Sequence, residues 1–398
     1  MKQSVAILDF GTSKITVLIG SRGINNSICI DGIGVCEYAG FSGGVWLDPE
    51  RLQSAIVSAI SSAENSARVT VDKLYVGVPN DFSTCVVNDV SISLNRRRRV
   101  TEQDVEVLLD SGNKYKADLD WSVINIQAVH FSLDDEHKLV APVGLMSTRL
   151  SGSISYMLAK REFIDIVTTA VNSADVPEVE YVSASLAEIL FLFDDYTRDK
   201  CVMLADIGAL GTALTIGRGD GLCRQYYFSW GGARITAALA ELFDISMREA
   251  ERLKHKVVLS LEPDYVPPEN DPSVIMQTTY NVEIDNEVHS YGVTDVNNAV
   301  RLEIERLARY IEKALKGCDY EYPEFVPLSI TGGGLNYIRG ASEYLSECLH
   351  REVVAVKPQL PTLTRPQLSA PLGLMDMVLS NTDTSISMIG KIKRWFKR

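Results

Sequence analysis

The sequence predicts an α/β protein built from two duplicated halves, with a small α+β insertion in the first half and a short amphipathic helix at the end. Three observations predict it. An apolar run, an Asp-x-Gly turn and a second apolar run occur together twice, at Asp9 and at Asp206, 197 positions apart. Strand-like and helical periodicities alternate through the chain. The stretch from residue 80 to about 158 looks separate from what flanks it.

Taken in order, residues 5–8 and 15–19 flank the turn DFGTSK and read as a hairpin, with a third strand at 28–33. In 49–63, Leu52, Ile56, Val57 and Ile60 share one helical face. Residues 74–78 form a strand ending at Pro79-Asn80. In the separate stretch, 84–94 is strand-like and the arginine run 96–99 reads as a solvated loop, or else as a basic patch for a partner or the membrane. Thr101 can cap the helix that follows, and Glu102 and Asp104 suit its positive end. Strands are expected at 122–131 and 153–158, and helices at 162–171 and 184–193. The second hairpin is 201–205, Asp206-Ile207-Gly208, then 212–216. Helices at 233–243 and 248–257 precede an acidic, proline-bearing loop at 263–285. A long helix covers 296–315, and a strand at 326–330 runs into Thr331-Gly332-Gly333-Gly334. Four prolines in 358–371 predict an extended crossing, and SNTDTS at 380–385 a polar linker.

Charge narrows the partners. The 398 residues carry a net charge of -13. The last eight, KIKRWFKR, hold five of the basic residues, so the remainder is at -18. Such a body repels nucleic acid, whereas its tail favours anionic surfaces. Seven cysteines without a CxxC pair read as free thiols in a reducing cytoplasm. Five scattered histidines offer no metal cluster. No apolar run is long enough to span a bilayer, and the first residues lack the pattern of a signal peptide.

Three glycine-bearing turns are the candidate chemistry. In Asp9-Phe10-Gly11-Thr12-Ser13-Lys14, the glycine lets backbone N–H groups approach a phosphate, two hydroxyls add donors and Lys14 adds charge. Asp9 could hold Mg²⁺ through water. Asp206-Ile207-Gly208-Ala209-Leu210-Gly211-Thr212 repeats the logic. Gly332, Gly333 and Gly334 make a bend against which a flat base could lie. Each also reads as an ordinary tight turn; the pair of hairpins is what favours a phosphate clamp.

In this order and spacing the three turns resemble the actin, Hsp70 and sugar-kinase superfamily. Within it the chain resembles the FtsA family of bacterial cell-division proteins over nearly its whole length. The resemblance is carried by ILDFGTSKI (7–15), LYVGVP (74–79), VTEQDV (100–105), APVGLM (141–146), ADIG (205–208), GGARI (231–235), AERLK (250–254), TGGG (331–334) and the basic end. It implies an actin-like, two-lobed ATPase fold with ribonuclease-H-like halves. It implies a first lobe at 1–79 and 161–200, an inserted α+β subdomain at 80–160, and a second lobe at 201–232 and 316–379, the last part including the return to the first lobe. The second lobe's small subdomain is expected at 233–315, a linker at 380–385 and a membrane helix at 386–398. By motif position Asp9, Gly11, Thr12, Ser13 and Lys14 form the first phosphate loop, and Asp206, Gly208, Gly211 and Thr212 the second. Gly332–Gly334 line an adenosine pocket, and Glu251 and Lys254 meet the ribose and base, a solvated helix face being the other reading. ATP and Mg²⁺ are the implied cofactors, with Asp9 and Asp206 meeting the ion through water. The implied partners are the tail of the ring protein FtsZ on the small subdomain, further copies of the chain in a filament, other division proteins and an anionic membrane.

The sequence also departs from that pattern. Ala209 and Leu210 replace glycines, and Ala213 replaces a final acid. Tyr181, or Ser183, stands where the superfamily often carries a Gln or Glu that positions water. Neither is a good base at neutral pH, so binding with at most weak turnover is expected. Arg301 is a candidate contact for the FtsZ tail, or an intrahelical partner of Glu305. In the last thirteen residues Met388, Ile389, Ile392, Trp395 and Phe396 form a helical stripe, with Lys391, Arg394 and Arg398 mostly opposite and Lys393 and Lys397 adding charge. That is the pattern of an interfacial helix, and at about 20 Å it is too short to span; a tail packed on its own body is the alternative. The expected site is the cytoplasmic face of the membrane. The rival functions are a sugar-kinase-like enzyme and a pilus-assembly adaptor.

Overall fold

The structure, a computed structural model, describes residues 4–24, 27–112, 117–134, 137–259, 278–360 and 363–382. The chain forms two compact units. One comprises Met1–Leu204, Ala213–Tyr227 and Lys357–Arg398, the other Ala205–Thr212 and Phe228–Val356.

The first unit opens with strands β1 (Val5–Phe10), β2 (Lys14–Arg22) and β3 (Ile28–Glu37), paired antiparallel in sequence order. Strands β4 (Phe41–Ser42) and β5 (Val45–Trp46) make a small hairpin before helix α1 (Pro49–Ala67). Asp48 caps α1 by accepting from Arg51 N at 3.2 Å, and Pro49 occupies the first turn, where its missing N–H is no loss. Leu52, Ile56 and Ile60 are buried, as their spacing predicts. Gly32 and Gly34 of β3 let α1 lie close; a Cβ on Gly34 would stand 1.9 Å from Ala59 O. Strand β6 (Lys73–Val78) then pairs parallel with β1.

The insertion carries β7 (Ser83–Arg99), α2 (Glu102–Gly112), β8 (Trp121–Ser132), β9 (Lys138–Leu139) and β10 (Met146–Lys160). Its strand order is β7-β10-β8-β9, and it has its own core around Leu108, Phe131, Leu150, Ile154 and Tyr156. Thr101 caps α2 as expected: Asp104 N donates to Thr101 Oγ1 at 3.3 Å, and Asp104 Oδ2 accepts from Thr101 N at 2.8 Å. The arginine run 96–99 is not a loop. It closes strand β7, with Arg98 paired to both carboxylate oxygens of Asp104 at 2.6 and 2.7 Å. The pairing pattern extends past the apolar stretch because β10 continues to Met146, opposite Arg99.

Helix α3 (Arg161–Asn172) returns to the first sheet, where β11 (Glu178–Ser183) pairs parallel with β6. Helices α4 (Ala184–Leu192) and α5 (Asp195–Lys200) follow. The sheet order is β11-β6-β1-β2-β3. Strands β12 (Val202–Ile207), β13 (Thr212–Arg218) and β14 (Gly221–Phe228) form the second run of three.

The second unit adds helices α6 (Gly232–Phe243) and α7 (Met247–Lys254), then the hairpin β15 (Thr279–Ile284) and β16 (Glu287–Gly292). Helix α8 (Val293–Lys316), strand β17 (Leu328–Thr331), helix α9 (Ala341–Leu349) and strand β18 (Val353–Ala355) complete it. The order β14-β13-β12-β17-β18 is the same chain-order pattern as in the first sheet, third-second-first-fourth-fifth.

Three expectations are corrected here. The loop expected at 263–285 ends earlier, since Thr279–Ile284 is strand; residues 263–277 lie outside the described residues. The 248–257 helix stops at Lys254. The extended crossing at 358–371 gives way to a 3-10 turn at Pro366–Leu368 and helix α10 (Ser369–Thr382). Pro371 is tolerated in the first turn of α10, and Ser380, Asn381 and Thr382 are therefore helix, not linker. Residues 383–398, with Ile389, Ile392, Lys393, Arg394, Trp395, Phe396 and Lys397, lie outside the described residues.

Candidate functional site

In the second unit three glycine-bearing segments meet backbone against backbone. The turn after β12 is closed by Gly208 N donating to Gly211 O at 2.8 Å, and Thr212, fully buried, donates its hydroxyl to Trp230 O at 2.7 Å. The first turn of α6 grips the same turn: Gly232 N donates to Gly208 O at 3.0 Å, and Ala233 N to Ala209 O at 2.9 Å. From the other side Gly334 N donates to Ile207 O at 2.7 Å. Side chains would break this stack. A Cβ would stand 2.5 Å from Ala209 O at Gly231, 2.6 Å from Gly334 O at Gly232, and 2.4 Å from Gly208 O at Gly334. At Gly332, φ is +85° and a Cβ would stand 2.2 Å from Asp206 Oδ1. Gly333 is exposed at the bend. Asp206 thus sits under the glycine turn, and burial raises its pKa. A nearby cation would act in the opposite direction, favouring the charged carboxylate.

Helix α7 braces the arrangement. Lys254 is 3% exposed and its ammonium donates to Gly232 O at 3.0 Å, Thr236 Oγ1 at 2.8 Å and Glu251 Oε2 at 2.7 Å. All three donors are therefore engaged within the protein. Burial lowers the Lys254 pKa, against the opposing pull of Glu251. Burial works the other way on Glu251, yet Lys254 and Thr236 bring its pKa below the ordinary value. Glu251 stays half-exposed, with Oε1 3.4 Å from His255 Nε2. Lys254 thus props the α6 turn from beneath, and Glu251 is the one of the pair with exposed surface. Thr236, His255, Asn336 and Tyr337 complete this neighbourhood and were not singled out by the sequence, which pointed to α6 only through its periodicity at 233–243 and the Gly-Gly pair before it.

In the first unit the turn between β1 and β2 is held by Gly11 N donating to Lys14 O at 3.0 Å. Tyr38 clamps it, its hydroxyl donating to Gly11 O at 2.9 Å and its N–H to Ser13 O at 3.3 Å. Burial, with the carboxylates of Asp9 and Asp81 near, keeps that phenol protonated far above the ordinary range. Asp9 pairs across to Thr16 in the hairpin; Thr12 and Lys14 are part-buried and Ser13 exposed. The parallel pairing of β1, β6 and β11 puts the segments after them at one edge of the sheet, the edge where open α/β sheets bind ligands. There Asn80 accepts from Ser185 Oγ at 2.5 Å and from Gln225 Nε2 at 2.6 Å. Tyr181 and Ser183 have structural work instead: Tyr181 Oη donates to Ile164 O at 2.9 Å, and Ser183 caps α4. Arg301 donates to Leu259 O at 3.1 Å and lies over the Tyr344 ring, while Glu305 accepts from Tyr344 Oη at 2.8 Å.

Comparison with known proteins gives a consistent family. The model described as "Cell division protein FtsA" matches residues 203–373, and "SHS2 domain inserted in FTSA" matches 83–157, together more than half of the chain. The chain is 23% identical to the cell division protein FtsA of Buchnera aphidicola subsp. Schizaphis graminum, over 100% of this chain and 98% of that one. Among solved structures, a PilM-PilN type IV pilus biogenesis complex superposes with a TM-score of 0.61 at 15% identity, covering 95% of this chain and 99% of that one. MreB 5 of Spiroplasma citri bound to AMPPNP gives 0.54 at 10% identity, covering 97% and 100%. At such identities the likeness fixes the fold alone, an actin-like α/β fold.

Proposed function

Because the chain belongs to the FtsA family of cell-division proteins, we propose that it is an ATP-binding, actin-like adaptor that polymerises and tethers the FtsZ ring to the cytoplasmic face of the membrane. The observation that carries the nucleotide reading is the stack of glycine turns around Asp206. Its backbone approaches leave no room for side chains and hold the turn in one conformation beside the aspartate. Gly208, Gly211 and Thr212 are assigned to one phosphate loop, and Gly11, Thr12, Ser13 and Lys14 to the other. Gly332, Gly333, Gly334 and Glu251 are assigned to the nucleoside, with Lys254 as the prop of the α6 turn. Among the described residues no three His, Cys, Asp or Glu side chains gather as a metal cage. A magnesium ion brought with the nucleotide would be met through water by Asp9 and by Asp206, and would neutralise phosphate charge. The matching strand orders of the two five-stranded sheets support duplicated halves, and the separate core of the insertion supports its being a subdomain.

Anchoring is assigned to residues 386–398. Five basic residues contribute at most about 5 kcal/mol near an anionic leaflet, and burial of the apolar stripe adds a few more. That supports reversible binding, which polymerisation strengthens through avidity. Among the described residues no helix is long and apolar enough to cross a membrane. The test is sedimentation with vesicles containing anionic lipid. The full chain is expected to pellet, and removal of residues 386–398 or Trp395→Glu to leave it in the supernatant. Unchanged pelleting of both variants would refute the anchor. Rapid sugar-dependent ATP consumption would replace the adaptor with a kinase.

A further inference from the structure

Asn336 and Tyr337 stand just after the 332–334 turn, and each carries a buried polar atom with no hydrogen-bond partner among the described residues, Asn336 Oδ1 and Tyr337 Oη. Folded proteins leave few such atoms unpaired, so each calls for a partner. The Asn336 amide cannot simply turn over. Its Nδ2 donates to Gly332 O at 3.1 Å, and a carbonyl only accepts, so the NH₂ group must face Gly332. That leaves an acceptor as the unpaired atom. Beside it the Tyr337 ring carries the His255 ring, centroids 4.1 Å apart and 26° from parallel. His255 is 53% exposed, and its Nε2 lies 3.4 Å from Glu251 Oε1. A flat aromatic face, an exposed ring lying on it and an acceptor without a partner among the described residues thus adjoin the glycine turn.

We propose that Asn336 is the residue that selects the base. A purine takes the place of the His255 ring on Tyr337, and its exocyclic 6-amino group donates to Asn336 Oδ1. This rests on the nucleotide-binding reading above and adds its specificity. Adenine presents a donor at that position; hypoxanthine and guanine present an oxygen there, which would face another acceptor. A site committed to one hydrogen bond rejects the ligand that cannot make it.

Calorimetric titration of the full chain with ATP, inosine triphosphate and purine riboside triphosphate, each with Mg²⁺, tests the assignment. Both analogues are expected to bind about tenfold more weakly than ATP or worse, the order of one lost hydrogen bond. Asn336→Leu is expected to bring the ATP-to-inosine ratio towards one. His255→Ala is expected to tighten ATP binding by removing the ring that must be displaced. If Asn336→Leu does not fold, the analogue series on the unmodified chain decides by itself. Equal affinity for ATP and inosine triphosphate would overturn the role of Asn336 while leaving nucleotide binding intact. An unchanged ratio in a folded Asn336→Leu variant would do the same. Weaker ATP binding by His255→Ala would overturn the displacement. No binding of any of the three would overturn the nucleotide reading itself.

Discussion

Gly332 shows how little freedom a single position of the site has. Its φ of +85° is accessible to glycine and strained for other residues. A methyl group there would also meet Asp206 Oδ1 at 2.2 Å and Ile207 O at 2.5 Å. Strain and overpacking together place Gly332→Ala at a loss of about 2–5 kcal/mol, to be read as a lower urea midpoint for the second unit. Asp104 illustrates the same dependence through charge. Arg98 above all, with Thr101, holds its carboxyl well below the usual carboxylate range. A depressed pKa contributes stability that is present above the unfolded value of about 4 and lost as pH falls through the folded value. Asp104→Asn is therefore expected to lower stability at neutral pH by about 1 kcal/mol, since solvent screens the pair. Acid titration of urea unfolding should show that difference shrinking below about pH 4; a constant difference would mean the pair is not the cause.

Among the elements, α10 ties the end of the described chain to the first sheet. Gly373 allows α10 to lie directly on α4, where a Cβ would stand 2.8 Å from Ala187 O. Ser369 Oγ donates to the buried Glu188 at 2.5 Å, and Leu374 fills the space above Gly77. At the far end Arg22 pairs with Asp376 at 2.8 Å and donates to Ser380 Oγ at 2.7 Å. Gly373→Leu would push the two helices apart at the cost of about 1–3 kcal/mol. Thermal unfolding of the full chain measures it, and an unchanged midpoint would show that the helices part freely. Alternating or periodic apolar positions made α1, α3 and α8 readable from the sequence. Helix α10 was not, because it is buried nearly all round and four nearby prolines masked its start.

At the scale of the whole molecule the two five-stranded sheets share one strand order, and each carries an Asp-x-Gly turn after its first strand. In the proposed adaptor, nucleotide binding and lipid binding belong to different parts of the chain. Trp395→Glu is therefore expected to abolish vesicle binding while leaving ATP affinity within about twofold, as sites that share no partner usually behave additively. Parallel calorimetry and sedimentation on one preparation would check it; a joint loss would place the tail on the body.

The amino-acid sequence alone determined the two hairpins, the insertion, the glycine turns and the cationic tail, since each is written in local spacing and residue type. Tertiary structure decided what the polar residues of the site do. Lys254 stands on a helix with polar neighbours, yet three acceptors brought from α6 and α7 enclose it. Asn336 and Tyr337 follow a glycine run like any surface pair, and only the folded chain strands one polar atom on each. Burial and hydrogen bonding join residues far apart in sequence, and spacing along the chain carries no record of such meetings.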